Sequence, residues 1–88
     1  MSGRFHLDII TAEGTVFRAD AEALVAPAEF GYLGVLANHA PLIARLQPGK
    51  VIVRDGAGVT RLFRSEGGGL LEVLKNNVML VLEAVTNL

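Results

Sequence analysis

The residues most capable of chemistry in this sequence are its two histidines, His6 and His39. Histidine can act as a general base or bind a metal, because its imidazole titrates near neutral pH. The two histidines are far apart in the chain, there is no Cys, and no group of ligand-type residues has the spacing of a zinc site. The sequence therefore predicts no metal site, and His6 is interpreted as a strand residue on a polar face.

Serine and glycine form no recognisable catalytic motif. Ser65 is followed by Glu-Gly-Gly, which does not match the G-x-S-x-G nucleophile motif of hydrolases. The glycine run 67–69 lacks the Lys-Ser/Thr of a phosphate-binding P-loop and the spacing of a dinucleotide fingerprint. We predict no catalytic and no cofactor-binding residue. We expect the glycines to let two strands approach closely or to supply a positive φ.

Length and charge limit the class of protein. A chain of 88 residues has room for one domain, which we place at residues 1–88. The net charge is −1, and the chain contains four Phe, one Tyr and no Trp, which argues against nucleic-acid binding. No apolar run approaches the roughly 20 residues of a membrane-spanning helix, and the first residues do not resemble a secretion signal. We therefore expect a soluble, cytoplasmic chain without direct membrane insertion.

The apolar fraction is high for so short a chain. Apolar residues make up 51% of the sequence, and the mean hydropathy is +0.45. Because a small domain has much surface, some of these side chains are expected to stay exposed for a partner. The composition thus favours a subunit of a larger assembly.

The sequence consists of short strand-like segments separated by turn residues, and these segments would carry the exposed apolar side chains. Turn-forming residues recur every 8 to 12 residues or roughly so, and no long amphipathic helix pattern is present. This pattern predicts a small all-β sandwich or barrel. The predicted strands are residues 5–11, 15–18, 21–26, 30–36, 42–46, 50–54, 59–64, 70–74 and 78–84, with a hairpin turn at 55–58.

Two of these predicted strands required a choice. The segment 21–26 has a composition that suits a helix, but Pro27 disfavours a helical conformation at Ala26 and the run is short. We predict a strand there, separate from the strand at 15–18. The last strand, 78–84, is apolar on both faces, so we expect it to be central to the core.

Three segments of the chain carry a family pattern. They are FHLDIITAEG at 5–14, GYLGVLANHAPL at 31–42 followed by LQPG at 46–49, and GGGLLEV at 67–73. Together, in this order and spacing, they resemble the N-terminal domain of the epsilon subunit of F-type ATP synthases, which is called delta in mitochondria. The second segment is the most specific of the three, although Ala37 stands where proline is usual.

The resemblance implies a fold and a role. The fold would be a flattened β-sandwich of about ten short strands in two sheets. The role would be that of a non-catalytic rotor subunit without a cofactor, which binds the gamma subunit and the c-ring and couples proton translocation to ATP synthesis. Such a subunit would be peripheral, at the cytoplasmic face of the bacterial inner membrane. One apolar surface packed on gamma would account for the hydrophobic composition.

The resemblance also suggests a contact segment. Residues 29–40 would be the loop that meets the c-ring, with Tyr32 and His39 as the strongest candidates. Asn38 readily adopts turn geometry, and Pro41 keeps the preceding residue extended, so His39 is interpreted as a polar contact or as a brace of a stiff loop. The candidate ring-contact residues are Glu29, Phe30, Gly31, Tyr32, Asn38 and His39.

Arg45 stands apart from the other charged residues, most of which we expect to be solvated. It lies in an apolar strand just past the His39 segment, where it could hold a partner in register at the interface with gamma or the ring. The alternative to a coupling subunit is a free-standing β-sandwich that binds a small ligand or serves as an interaction module.

The resemblance covers only the β-sandwich part of the family. Members commonly continue into a helical hairpin, which senses ATP and inhibits the enzyme in some of them. The sequence given has no such segment after Leu88. A naturally short form and a truncated chain are both compatible with this, so we assign neither nucleotide binding nor inhibition by the hairpin.

Overall fold

The computed structural model describes residues 3–88, and all regular structure in them is β-strand, which confirms the all-β prediction. None of these residues belongs to a helix that could cross a membrane. Met1 and Ser2, which the predicted domain includes, lie outside the described residues. The nine strands of the described part are β1 (Phe5–Thr11), β2 (Gly14–Ala28), β3 (Gly31–Leu36), β4 (Leu42–Leu46), β5 (Gly49–Asp55), β6 (Thr60–Ser65), β7 (Gly69–Leu74), β8 (Asn77–Leu82) and β9 (Val85–Asn87).

The main departure from the predicted strands is β2, a single strand of 15 residues. The sequence predicted separate strands at 15–18 and 21–26, and that division is wrong. Ala19 and Asp20, which lie between them, pair with β1, so the antiparallel ladder continues through the predicted gap. A register shift next to Ala21 marks the point where β2 passes from pairing with β1 to pairing with β5.

The length of β2 explains how the sandwich closes. Its first half pairs with β1, and its second half pairs with β3 and β5. The strand order is β1-β8-β7-β4-β2-β5-β6-β9, with β3 beside β2 and a further pairing between β1 and β2. The β1–β8 pair is parallel. Because β2 takes part in both layers, the sandwich is made from one continuous sheet of nine strands, whereas the resemblance implied two sheets with about ten strands in all.

The core lies between the layers and is built from alternate residues of the strands. On β7, Leu71 and Val73 are buried, whereas Leu70 is exposed. On β8, Val81 is 42% exposed but Leu80 is 0% exposed, so the expectation that this strand is central to the core is confirmed for one of its two faces. Its edges are covered by β1 and β7, and only one of its faces meets the core. The bulkiest fully buried side chains are Phe5, Leu7, Ile9, Leu24, Leu71 and Leu80.

Asp55 organises the β5–β6 turn, which lies where the sequence predicted a hairpin turn. Its carboxylate accepts hydrogen bonds from the N–H groups of Ala57 and Val59, each at 2.9 Å, and from Arg61 Nε at 3.1 Å. The hydrogen bond from Val59, together with those from Arg61 and Ala57, holds the pKa of Asp55 below its usual value despite desolvation. The ionised carboxylate therefore stabilises this turn.

Gly69 allows β7 and β8 to approach closely. A Cβ at this position would overlap the carbonyl oxygen of Val81 and lie 2.8 Å from Leu82 Cδ2. The predicted close backbone approach at the glycine run is confirmed here. Nearby, the buried Ser65 hydroxyl donates to the Gly67 carbonyl oxygen at 2.7 Å, so it closes the β6–β7 connection.

Candidate functional site: the hairpin tip, its groove and an outer face

The β2–β3 hairpin carries the most exposed large apolar side chain of residues 3–88. Glu29 and Phe30 connect the two strands, and Gly31 follows with a φ of 131°, a conformation that favours glycine and permits a tight reversal. Phe30 is 96% exposed and Tyr32 is 62% exposed. Because burial of such side chains is favourable, this hairpin tip (residues 29–32) is an apolar projection suited to a partner.

A groove opens between the hairpin tip and β4. Its volume is about 420 Å³, and residues 28–33 and 42–45 line it. The half-buried side chains of Leu33 and Leu42 make its walls apolar. The Glu29 N–H donates to the Arg45 carbonyl oxygen at 2.9 Å, so β4 runs directly beside the tip. Folding therefore brings Arg45 next to the predicted contact residues.

The Arg45 side chain is exposed and has no ion-pair partner in the described part of the chain. A guanidinium presents several donors in a planar arrangement that matches a carboxylate. Beside an apolar groove, such a group can orient a partner that carries both an apolar and an acidic side chain. This position is consistent with the interface role that the sequence suggested for Arg45.

Asn38 and His39 lie at the other end of β3, away from the hairpin tip. The strand has six residues and is about 17 Å long. Asn38 has a φ of 62°, and its N–H donates to Asn76 Oδ1 at 2.8 Å, which attaches it to the β7–β8 turn. Residues 29–40 are therefore a tip, a strand and a second turn rather than one loop, because β2 pairs with residues 31–36.

The His39 side chain is used locally in this second turn. Its Nδ1 lies 2.8 Å from the Ala40 carbonyl oxygen, and its backbone N–H donates to the Leu36 carbonyl oxygen at 3.3 Å. A proton on Nδ1 would donate to that carbonyl and leave Nε2 as an acceptor. The geometry favours the bracing role for His39 over the contact role.

His6 lies in a charged cluster on the outer side of β1 and β2, as the sequence predicted for a polar strand face. Its Nε2 is 3.2 Å from Asp8 Oδ1, and Arg18 Nε donates to the same oxygen at 2.7 Å. The hydrogen bond from Arg18 lowers the pKa of Asp8. No three His, Cys, Asp or Glu residues among 3–88 are arranged to hold a metal ion.

The outer side of β4, β7 and β8 is a second apolar surface, whose position in the chain the sequence did not predict. Ile43, Leu70, Leu74 and Val81 are 71%, 50%, 48% and 42% exposed. The ladder places Leu70 directly opposite Val81, and strand alternation puts the others on the same side. We call these four residues the outer apolar face. The apolar run at 78–82 was a signal for it, because consecutive apolar residues put apolar side chains on both faces of a strand.

The fold and these exposed features define a class of protein: a small β-sandwich domain with prominent apolar groups on its outer surface. A family model described as the ATP synthase, Delta/Epsilon chain, beta-sandwich domain matches residues 4–87. The chain therefore belongs to this family, as the three sequence segments indicated.

Curated relatives carry the same family name. An ATP synthase epsilon chain of Xanthomonas campestris pv. campestris (strain B100) is 48% identical over 66 residues, which are 75% of this chain and 46% of the relative. One from Bordetella bronchiseptica is 43% identical over 74 residues, which are 83% of this chain and 51% of the relative. The chain thus spans about half the length of the curated relatives it matches.

Solved structures share the fold at low sequence identity. A chain of the Euglena gracilis mitochondrial ATP synthase, from a structure of OSCP, F1 and c-ring, superposes with a TM-score of 0.88 at 20% identity. The match covers 96% of this chain and 53% of that chain. A chain of the Tetrahymena thermophila mitochondrial ATP synthase central stalk and c-ring gives a TM-score of 0.80 at 15% identity, over 98% and 68% of the two chains.

Proposed function

We propose that this chain is the β-sandwich part of an ATP synthase epsilon subunit and acts as a non-catalytic coupling element in the central stalk. In this role it binds the gamma subunit and the c-ring, and it couples proton translocation to ATP synthesis. It is a peripheral part of the complex at the cytoplasmic face of the bacterial inner membrane. The observation that carries the proposal is the family match over residues 4–87. The names of the curated relatives and of the structural neighbours support it.

The coupling role requires a body that does not deform when torque passes through it. The continuous sheet, with β2 shared between the layers, links every strand by backbone hydrogen bonds. A close-packed interior has low compressibility and transmits force well. These properties suit a rigid connection between the ring and the stalk.

We assign the ring contact to the hairpin tip, that is Glu29, Phe30, Gly31 and Tyr32, with Arg45 at its side. Asn38 and His39 shape the second turn, at the far end of β3, and so belong to a different part of the surface. This assignment narrows the predicted contact segment to one end of the domain.

The outer apolar face is our candidate for the gamma contact. A protein interface typically has an apolar centre and a polar rim. Two charged residues lie among the apolar side chains of this face. Arg45 is directly opposite Leu70, and Glu72 is directly opposite Ile43. Arg45 therefore lies both in this face and beside the hairpin tip, so the two proposed contacts adjoin at Arg45.

Substitution of Phe30 tests the ring contact. Burying an exposed phenylalanine side chain stabilises a complex by about 1.5 to 3 kcal/mol, so Phe30→Ala should weaken binding to the c-ring about 10-fold or more. The thermal stability of the variant should not change, because Phe30 is 96% exposed. Binding would be measured with the purified ring, and coupling by ATP-driven proton pumping in membrane vesicles that carry the reassembled complex.

Val59→Ala is the matched control for this experiment. Val59 is 51% exposed, but it lies in the β5–β6 turn rather than at the hairpin tip. Its truncation should leave ring binding and proton pumping unchanged. Equal ring binding by the wild-type chain and Phe30→Ala would show that the hairpin tip is not part of the ring contact.

The groove beside the tip favours one alternative, a free-standing ligand-binding module. An open apolar groove of about 420 Å³ has the size of a small-molecule site. Such a module would remain monomeric and show no affinity for gamma or the c-ring. A pull-down with each purified subunit separates the two functions.

A further inference from the structure

Two cations face each other on the outer side of the second layer. Lys50 on β5 lies directly opposite Arg64 on β6, and both side chains are exposed because the alternate residues Val51 and Phe63 are buried. Within residues 3–88 neither cation takes part in an ion pair. Like charges directly opposite each other destabilise an antiparallel sheet. In the free chain this arrangement therefore costs stability.

Tyr32 extends the same row to the hairpin tip. It pairs with Pro27 on β2, and its hydroxyl oxygen accepts the Lys50 backbone N–H at 3.3 Å. The hydroxyl proton is not used in that hydrogen bond and can be donated elsewhere. An ammonium, a guanidinium and a phenol thus lie along one row that is continuous with the tip.

Two acidic side chains near this row, Glu66 just after β6 and Glu22 on β2, have other partners. Glu66 accepts a hydrogen bond from the Thr86 hydroxyl, and Glu22 pairs with Arg54 at 3.5 Å. The next row of the face is apolar, with Ile52 opposite Leu62. The surface therefore combines an excess of positive charge with an apolar floor.

We propose that Lys50, Arg64 and Tyr32 bind a carboxylate of the same ring subunit that contacts the hairpin tip. The inference rests on the proposed function, because the ring is the partner placed at the tip. One carboxylate would satisfy both cations with charge-assisted hydrogen bonds and remove their mutual repulsion. The apolar floor fits a partner segment in which the acidic residue stands beside apolar ones.

Lys50→Glu tests this site because it has opposite effects on stability and on binding. In the free chain the introduced carboxylate would face Arg64 as an opposite charge, so the thermal midpoint should rise by about 1 to 4 °C. Binding to the purified c-ring should fall about 10-fold or more, and the difference should shrink at high salt. Arg64→Gln removes the second cation without adding a charge and should weaken binding in the same direction.

Lys75→Glu is the matched control, since it makes the same change in net charge at an exposed position in the β7–β8 turn. It should bind the ring like the wild-type chain. Wild-type ring binding by both Lys50→Glu and Arg64→Gln would overturn the proposed site while leaving the proposed function intact. Failure of the wild-type chain to bind the ring would instead overturn the proposed function and the site with it. If Lys50→Glu and Arg64→Gln lost binding to phosphatidylglycerol vesicles but bound the ring like the wild-type chain, the ligand would be a lipid phosphate rather than a carboxylate of the ring. That result would reject the proposal.

Discussion

Asp55 and Phe30 illustrate the two kinds of residue that matter in this domain. Asp55 is 7% exposed and uses its carboxylate to satisfy backbone N–H groups in its own turn. Phe30 is 96% exposed and has no such internal use. His39 belongs with Asp55, because its ring and backbone serve the local turn. Residues of the first kind shape the backbone, and residues of the second kind are available to a partner.

The lowered pKa of Asp55 predicts a pH dependence of stability. Because the carboxyl group binds its proton less tightly when folded, it contributes stability above its unfolded pKa of about 3.9, and this is lost as the pH falls through its folded value. Asp55→Asn should be less stable than the wild type at pH 7. It should also lose less stability between pH 5 and pH 3 or thereabouts.

Thermal unfolding of both chains across this pH range is the measurement. Glu13→Gln is the control, because Glu13 is an exposed carboxylate without an ion-pair partner in the described residues. An identical pH dependence in Asp55→Asn and the wild type would show that the turn does not depend on the charge.

At the scale of strands, the pairing partners decide which apolar residues are buried. β7 and β8 have apolar residues at consecutive positions, but only every second one faces the core. The buried ones are Leu71, Val73, Val78, Leu80 and Leu82. The ladder between β7 and β8 is tight at Gly69, where the neighbouring backbone leaves no room for a side chain. The two strands thereby present one buried and one exposed apolar face.

The close approach at Gly69 predicts a large difference between two glycine substitutions. Gly69→Ala should reduce the free energy of unfolding by about 1 to 3 kcal/mol, since its Cβ would overlap the Val81 carbonyl and force the strands apart. Gly34→Ala should change it by less than about 0.5 kcal/mol, because the nearest atom to its Cβ would be 4.0 Å away. Urea unfolding of both variants measures this. Similar stabilities for the two variants would contradict the predicted crowding.

At the scale of the whole molecule, β2 prevents the two layers from behaving as independent units. It pairs with β1, β3, β4 and β5. The hairpin tip is joined to the same sheet through the Tyr32 hydroxyl and the Arg45 carbonyl. Unfolding of either layer must therefore break the pairing of β2, on which the other layer also depends.

This connectivity predicts a single cooperative unfolding transition. The sequence has one Tyr and no Trp, so tyrosine fluorescence reports on Tyr32 at the tip, whereas far-UV circular dichroism reports on the sheet. Urea unfolding followed by the two signals should give the same midpoint and the same slope. A fluorescence change at lower urea than the dichroism change would mean that the tip opens separately.

The sequence by itself determined the all-β class, most of the strands, the β5–β6 turn and the family. These features depend on local properties, namely the alternation of apolar residues and the turn preferences of Gly, Pro, Asn and Asp. The family motifs are likewise contiguous stretches of chain. The resemblance placed residues 29–32 in the predicted contact segment, but the local pattern predicted a strand from Phe30 rather than a turn at 29–30.

Only the tertiary structure decided how these pieces meet. It placed Arg45 beside the tip and Asn38 with His39 at the far end of β3, and it set Lys50 opposite Arg64. It also decided which face of β8 meets the core, which the consecutive apolar residues of this strand could not show. The physical reason is that strand pairing and register join residues distant in the chain, and a shift of one residue would exchange the buried and exposed faces.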